Sequence, residues 1–257
     1  IEQRDSKGHM DRTIPTYTYL AMDDEVQFIY RCEIPATAGS FYRVTHAAGA
    51  TDWIPLLPIH EKDHVCALLF SDSQCGESYD VWGATYQTAW ERHPNADCAA
   101  IVGDLTDNGE SAWHWRSFFE AMETGTALAR HPHVPVLGNH EYYGLQWTAV
   151  PPVRYLKTFA LPDNGSRDFR GHYYSFDLGS VHCIVLDTQF LEAEERGDTL
   201  KAEQMDWLRR DAATSAAPWK IVLMHKDILA YGDYQPEQNR NDGISDVGQV
   251  FLDVFDE

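Results

Sequence analysis

From Thr13 to Ala47 apolar and polar residues alternate, most regularly at Val26, Phe28, Tyr30, Cys32 and Ile34, the period-2 pattern of strands with one buried face. This stretch predicts a small β unit, with a turn at Gly39-Ser40 ahead of FYRV. The Pro-containing run WIPLLPIHEKD, from Trp53 to Asp63, predicts a linker or edge segment and a domain boundary near residue 60. Beyond it the rhythm changes. Apolar runs alternate with helix-like segments: strand about 64–71, helix 80–93, strand 97–103, helix 109–129 and strand 133–137. A second series places strands near 172–178 and 181–187, a helix at about 200–213, a strand at 219–225 and a helix from about 246. Such alternation predicts an α/β domain over residues 61–257 behind a β domain over 11–60. The connection from Gly138 to Gly171 carries Pro151-Pro152 and the turn signal PDNG, and connections of that length are usually functional; it is expected to overhang a site. The first ten residues, IEQRDSKGHM, show no pattern and resemble an expression remnant, expected to lie outside the fold.

Composition narrows the function classes. The 257 residues are 44% hydrophobic, an ordinary globular share, and no run of about 18 apolar residues predicts a membrane span. A formal charge of -20 without any Lys/Arg cluster argues against nucleic acid as a partner. Five cysteines, widely spaced and without a CxxC, predict neither a disulfide framework nor a cysteine zinc site. Cys66, Cys98 and Cys183 lie in apolar runs and are expected to be buried thiols.

The chemistry sits where the apolar runs stop. LLFSDSQ ends with Asp72 and Gln74, AAIVGDLTDNG with Asp104 and Asn108, PVLGNHE with Asn139, His140 and Glu141, and IVLMHKD with His225. In open α/β sheets ligands bind at the carboxyl ends of strands, so these residues are expected to converge on one crevice. Carboxylate, amide and imidazole donors suit Mn, Fe, Zn or Mg rather than a thiolate-loving ion. A carboxylate able to bridge two cations would make a two-metal centre, and Asp104 is the candidate bridge.

An aspartate motif, then GD, then GNH followed by an acid, then a lone His after a strand resembles the ordered signature of the calcineurin-like metallophosphoesterases. Within that superfamily the chain looks like the purple-acid-phosphatase branch, whose catalytic domain follows a fibronectin-like β domain. The resemblance implies an α/β/β/α sandwich and hydrolysis of a phosphomonoester or phosphodiester by a dinuclear centre, with metal-bound hydroxide attacking phosphorus. It implies two divalent or trivalent ions, Fe, Mn or Zn, with Asp72 on one, Asp104 bridging, and Asn139 and His225 on the other. His140 becomes the catalytic histidine, and Asn108, Glu141 and Tyr142 become candidates to lie near a small phosphate-ester substrate. The same resemblance slightly favours a secreted or cell-surface location; nothing bears on oligomeric state.

Three departures qualify it. Gln74 stands where many members have a histidine ligand, so it is a weaker ligand or orients a water behind the metal shell. Asp107 stands where purple acid phosphatases carry the tyrosine that gives their colour. The final GHxH motif is missing, since no histidine follows His225, and ISDVGQVFLDVFDE looks like the helix that normally precedes it; truncation is the expectation. A metal-poor, catalytically decayed binding module is the alternative reading. His131 and His133 in HPHVP have metal-pair spacing but begin a strand, at the edge opposite the site, and are read as structural. HEYYG lacks the second His of HExxH, and neither GxSxG nor GxxxxGK[ST] occurs.

Overall fold

The computed structural model describes residues 1–22, 24–59, 62–229 and 243–257. The amino-terminal region forms β1 (Glu2–Arg4), β2 (Met10–Arg12), β3 (Thr16–Ala21), β4 (Val26–Arg31), β5 (Phe41–Arg43), β6 (Thr45–His46), β7 (Gly49–Ala50) and β8 (Ile54–Pro55). Strands β2-β1-β5-β8 make one sheet, and β3-β4 a separate antiparallel hairpin.

Two expectations change here. Residues 1–10 lie within the fold: Glu2–Arg4 pairs with Met10–Arg12 on one side and Phe41–Arg43 on the other, and Arg4 lies over the rings of Phe41 and Trp53. Three-residue strands held by main-chain hydrogen bonds need no apolar period, so the sequence pattern gives no sign of them. The second change concerns β4, where Val26, Phe28 and Tyr30 face solvent while Gln27, Ile29 and Arg31 turn inward. The inward face binds polar groups. Arg31 donates to the carbonyls of Leu156 and Phe159, and Gln27 accepts from the fully buried Arg154, which also pairs with Asp24 at 2.8 Å. The domain boundary expected near residue 60 falls on residues 60–61, outside the described residues.

The rest follows the predicted rhythm: β9 (Ala67–Phe70), α1 (Asp80–Arg92), β10 (Cys98–Val102), α2 (Ala112–Met122), α3 (Ala127–Arg130), β11 (His133–Val136), α4 (Val153–Thr158), β12 (Tyr174–Leu178), β13 (Val181–Val185), α5 (Gly197–Thr214), β14 (Trp219–Leu223) and α6 (Asp246–Phe255). Strands β11-β10-β9 form a parallel sheet; β12-β13-β14 form a second, with β12 antiparallel to β13 and β14 parallel to it.

Alternation along β10 explains the layering. Ala99 and Ile101 face Tyr79, Trp82, Phe118 and Met122 of the α1–α2 layer, whereas Ala100, with Val134 and Val136 of β11, packs toward Tyr174 and Val185 of the second sheet. On the far side of that sheet, Ile184 and Leu186 pack on Leu200, Trp207 and Leu208 from α5 and on Phe251 from α6. Strands buried on both faces read as continuous apolar runs, as CAAIV does. The result is a four-layered α/β/β/α sandwich.

The helix expected over 109–129 is shorter. Gly109 lies so close to the Glu141 backbone that a Cβ would collide with it, and the helix starts only after Ser111, whose Oγ accepts the His114 N–H. It stops at Met122, and Thr124-Gly125 interrupt it before α3. Cys98 and Cys183 are buried as expected, but Cys66, just before β9, is exposed. No helix among the described residues is long and apolar enough to cross a membrane.

Candidate metal centre

Asp72, Asp104 and His225 each stand two residues beyond the end of a strand, β9, β10 and β14 respectively. Because those strands run parallel within their sheets, the three side chains meet, with one ligand atom from each lying within 4.8 Å of the others. Asp72 and Asp104 adopt left-handed backbone conformations, φ 54° and 51°, which cost on the order of 1 kcal/mol each for a residue with a Cβ. Main-chain bonds impose them: Asp72 N–H donates to the Gly103 carbonyl at 3.2 Å and Gln74 N–H to the Asp104 carbonyl at 3.0 Å. Two glycines make room. A Cβ on Gly103, φ 82°, would strike the His225 ring, and one on Gly138 would strike the Asp104 carboxylate.

The histidines are fixed through their far nitrogens. His225 Nδ1 lies 2.9 Å from the Val102 carbonyl and His140 Nδ1 lies 2.6 Å from the Asp107 carbonyl. A carbonyl only accepts, so each Nδ1 carries the proton and each Nε2 turns toward the centre, the usual support for a metal-binding or catalytic imidazole. His225 Nε2 comes to 3.3 Å from Asp104 Oδ2 and His140 Nε2 to 3.8 Å. The other Asp104 oxygen accepts the His140 main-chain N–H at 2.9 Å.

Burial works to raise the Asp104 carboxyl, but the hydrogen bond and charge of His225 outweigh it and hold the carboxyl below its ordinary range. Burial likewise opposes charge on His225, yet Asp104 lifts the imidazole to about 9. The arrangement therefore favours a cation beside Asp104. Gln74 donates from Nε2 to Asp104 Oδ2 at 3.3 Å, and its amide oxygen is buried without a hydrogen-bond partner. Asn139 donates from Nδ2 to the Tyr143 hydroxyl at 3.3 Å, which leaves its amide oxygen for another partner. Two carboxylates, an anchored imidazole and an orphaned buried amide oxygen form a hard-to-borderline donor set, and these residues fit a divalent or trivalent ion.

Three residues expected near a substrate point elsewhere. Glu141 is 1% exposed, and its carboxylate accepts four main-chain N–H groups, from Asp104 and Gly138 on one oxygen and Leu105 and Thr106 on the other, at 2.8–3.3 Å. It moulds the loop that presents Asp104. Burial and the Asp104 charge push this carboxyl up to about 7, against the N–H groups that favour its ionised form. Asn108 is buried, donating to the Gly144 carbonyl at 2.7 Å and accepting from Glu110 N–H. Tyr142 is buried too, its hydroxyl donating to Asp187 at 2.5 Å beside His172.

Asp187 and Thr188 are the residues sequence reasoning passed over. They follow β13 in VLDTQ, an apolar run closed by an acid like the others; Asp187 anchors Tyr142, and the Thr188 hydroxyl accepts the Lys226 N–H at 3.1 Å, steadying the turn that carries His225. His131 and His133 lie at the start of β11, at the opposite end of the sheet.

Residues 67–252, a span that holds every candidate ligand, match the profile of the calcineurin-like phosphoesterases. The chain belongs to that family. An uncharacterized protein of Mycobacterium tuberculosis is 29% identical over 171 residues, covering 61% of this chain and 31% of the relative. Purple acid phosphatase 13 of Arabidopsis thaliana is 27% identical over 155 residues, covering 59% of this chain and 22% of the relative. A solved purple acid phosphatase from yellow lupin seeds superposes with a TM-score of 0.65 at 17% identity, over 97% of this chain and 50% of that one. With the family match, the two plant proteins put the chain on the purple-acid-phosphatase-like branch of the metallophosphoesterases, and the chain spans half or less of the length of all three relatives.

Proposed function

We propose that this chain carries the metal-binding face of a phosphoesterase that hydrolyses phosphomonoesters or phosphodiesters at a dinuclear centre. The observation that carries the reading is the meeting of Asp72, Asp104 and His225 within 4.8 Å at three strand ends drawn from two sheets. Asp72 and Asp104 would hold one ion and Asp104, Asn139 and His225 the other, with Fe, Mn or Zn suited to these donors. Bound metals supply charge neutralisation on phosphate and activation of the attacking water. The chain's own contribution is positional. His140, its Nδ1–H held by the Asp107 carbonyl, presents Nε2 to the site, and in the imidazolium form, with a second proton on Nε2, it would donate to a phosphoryl oxygen or give that proton to the leaving oxygen. The loop under Asp104, set by Glu141, keeps in place the carboxylate that would be shared between the ions, without side-chain rearrangement.

A metal-poor binding module is the second reading, favoured by Gln74 at a position where the resemblance leads one to expect histidine. Elemental analysis after loading with Mn or Fe, together with phosphate release from an aryl phosphate and a bis-aryl phosphate, tests both. Two equivalents of metal with turnover are expected, and Asp104→Ala should lose the metal; His140→Ala should keep it and slow turnover by roughly 10²–10⁴-fold. Turnover indifferent to both substitutions would overturn the hydrolase reading, and two bound equivalents would overturn the metal-poor one.

A further inference from the structure

Next to the candidate centre the chain makes a tight hairpin whose tip exposes an indole. Tyr143 and Ala149 pair across it, Gly144 N–H donates to the Thr148 carbonyl at 3.0 Å and Trp147 N–H to the Gly144 carbonyl at 2.8 Å. Trp147 is 56% exposed and sits at φ 60°, a left-handed conformation strained for a bulky residue. Its ring lies 6.4 Å from the His140 ring and 6.2 Å from that of Tyr143, while Tyr143 and His140 are 5.1 Å apart. Three rings thus border the side of the site from which His140 faces Asp104.

The hairpin is clamped from below. Asn108 holds the Gly144 carbonyl at 2.7 Å, Glu110 accepts the Leu145 N–H at 3.1 Å, and a Cβ on Gly144 would crowd the Glu110 carboxylate. A strained backbone persists where its surroundings over-determine it, and such residues cluster at functional sites. Of the four described non-glycine residues with positive φ, Asp72 and Asp104 belong to the metal centre and Trp147 stands beside it. Holding a large aromatic surface in water at that place gains the folded chain little; a flat ligand ring laid on it would bury it.

We infer that Trp147, with Tyr143, is a stacking platform for a planar aromatic ring in the alcohol portion of the substrate, which makes aryl or nucleoside phosphate esters the preferred class. The inference rests on the phosphate-ester reading of the site. Stacking on an aromatic side chain is sequence-tolerant because every base offers a π face, and indole is well suited to it.

Adenosine 5′-monophosphate and ribose 5-phosphate carry the same phosphate on the same primary alcohol and differ in the base. Calorimetry on the Mn-loaded protein should show the nucleotide binding at least about tenfold more tightly, the scale on which one base stacks on an aromatic side chain. The ratio should fall to near one in Trp147→Ala and be largely retained in Trp147→Phe. Naphthyl phosphate against cyclohexyl phosphate separates the two sources of the ring: a naphthyl preference lost in Trp147→Ala supports aryl esters, and a preference confined to the nucleotide supports nucleosides. A ratio near one in the wild type, or one that Trp147→Ala leaves unchanged, overturns the platform while leaving the phosphate-ester reading standing. Absence of binding by all four compounds would overturn that reading and the platform with it.

Discussion

The two ends of the stacked sheets both carry histidines, and they are tuned in opposite directions. At the carboxyl ends of the strands His225 faces Asp104 and is lifted to about 9, despite burial. At the start of β11 His131 stacks on Trp90 at 4.2 Å, and His133 meets the Tyr86 hydroxyl at 2.7 Å and the His131 carbonyl at 2.8 Å. There burial prevails and pulls His133 down to about 4. The HPHVP spacing is that of a ligand pair, but its place at the start of a strand marks it as structural; carboxylate partners, supplied by strand termini far apart in sequence, make the difference.

The largest test of the contrast is Glu141→Gln. One end of the glutamine amide would present N–H groups to two main-chain donors that the carboxylate accepts, so two buried bonds are lost. Each unsatisfied buried group costs about 1–3 kcal/mol, so a loss of roughly 2–6 kcal/mol in urea unfolding is expected, with metal affinity falling alongside. A loss below about 1 kcal/mol would mean the loop holds Asp104 without it.

The opposite end is tested by acid. His133 is depressed in the fold, so its neutral form is the folded one; the unfolded chain protonates first, and stability is lost as pH falls from the unfolded value near 6.5 through about 4. The loss amounts to roughly 2–4 kcal/mol at about 1.4 kcal/mol per unit. Denaturant melts at pH 7 and pH 4.5 on the wild type and His133→Phe should differ in slope, and parallel curves would remove His133 from the account.

A smaller effect sharpens the rule. His182, on β13 between Asp177 at 2.7 Å and Asp211 at 2.8 Å, lies outside the candidate centre yet is raised: burial disfavours its charge, and the two carboxylates outweigh burial. Its contribution is present in full below about 6.5 and is lost as pH rises through the raised folded value. His182→Asn should therefore lower the unfolding midpoint more at pH 6 than at pH 9. An equal loss at both would show that shape, not charge, accounts for this contact.

Much of this was legible in the sequence because apolar runs buried on both faces are easy to see, and so are the polar residues that end them. The α/β order of elements and the convergence of Asp72, Asp104 and His225 follow from that pattern, while the four-layered stacking was implied by the family resemblance. Glu141 was misplaced because neighbours on a single 3-10 turn point in different directions, so the acid of GNHE turns inward while His140 faces the site. The exposed face of β4 was misjudged because alternation identifies two faces without saying which one finds a partner; here Arg154 and the carbonyls of α4 claimed the polar one. Residues 1–10 and the strained Trp147 hairpin depend on main-chain bonds, which leave no hydrophobic period.

Left-handed aspartates at 72 and 104 carry an implication for how this chain would evolve. Glycine or asparagine would suit those dihedral angles better than aspartate, so selection for thermal robustness alone would tend to replace the very carboxylates proposed to gather a cation. Pressure for durability and pressure for chemistry pull on the same two positions, and a laboratory lineage bred only for heat tolerance would be expected to drift toward a sturdier, metal-blind scaffold.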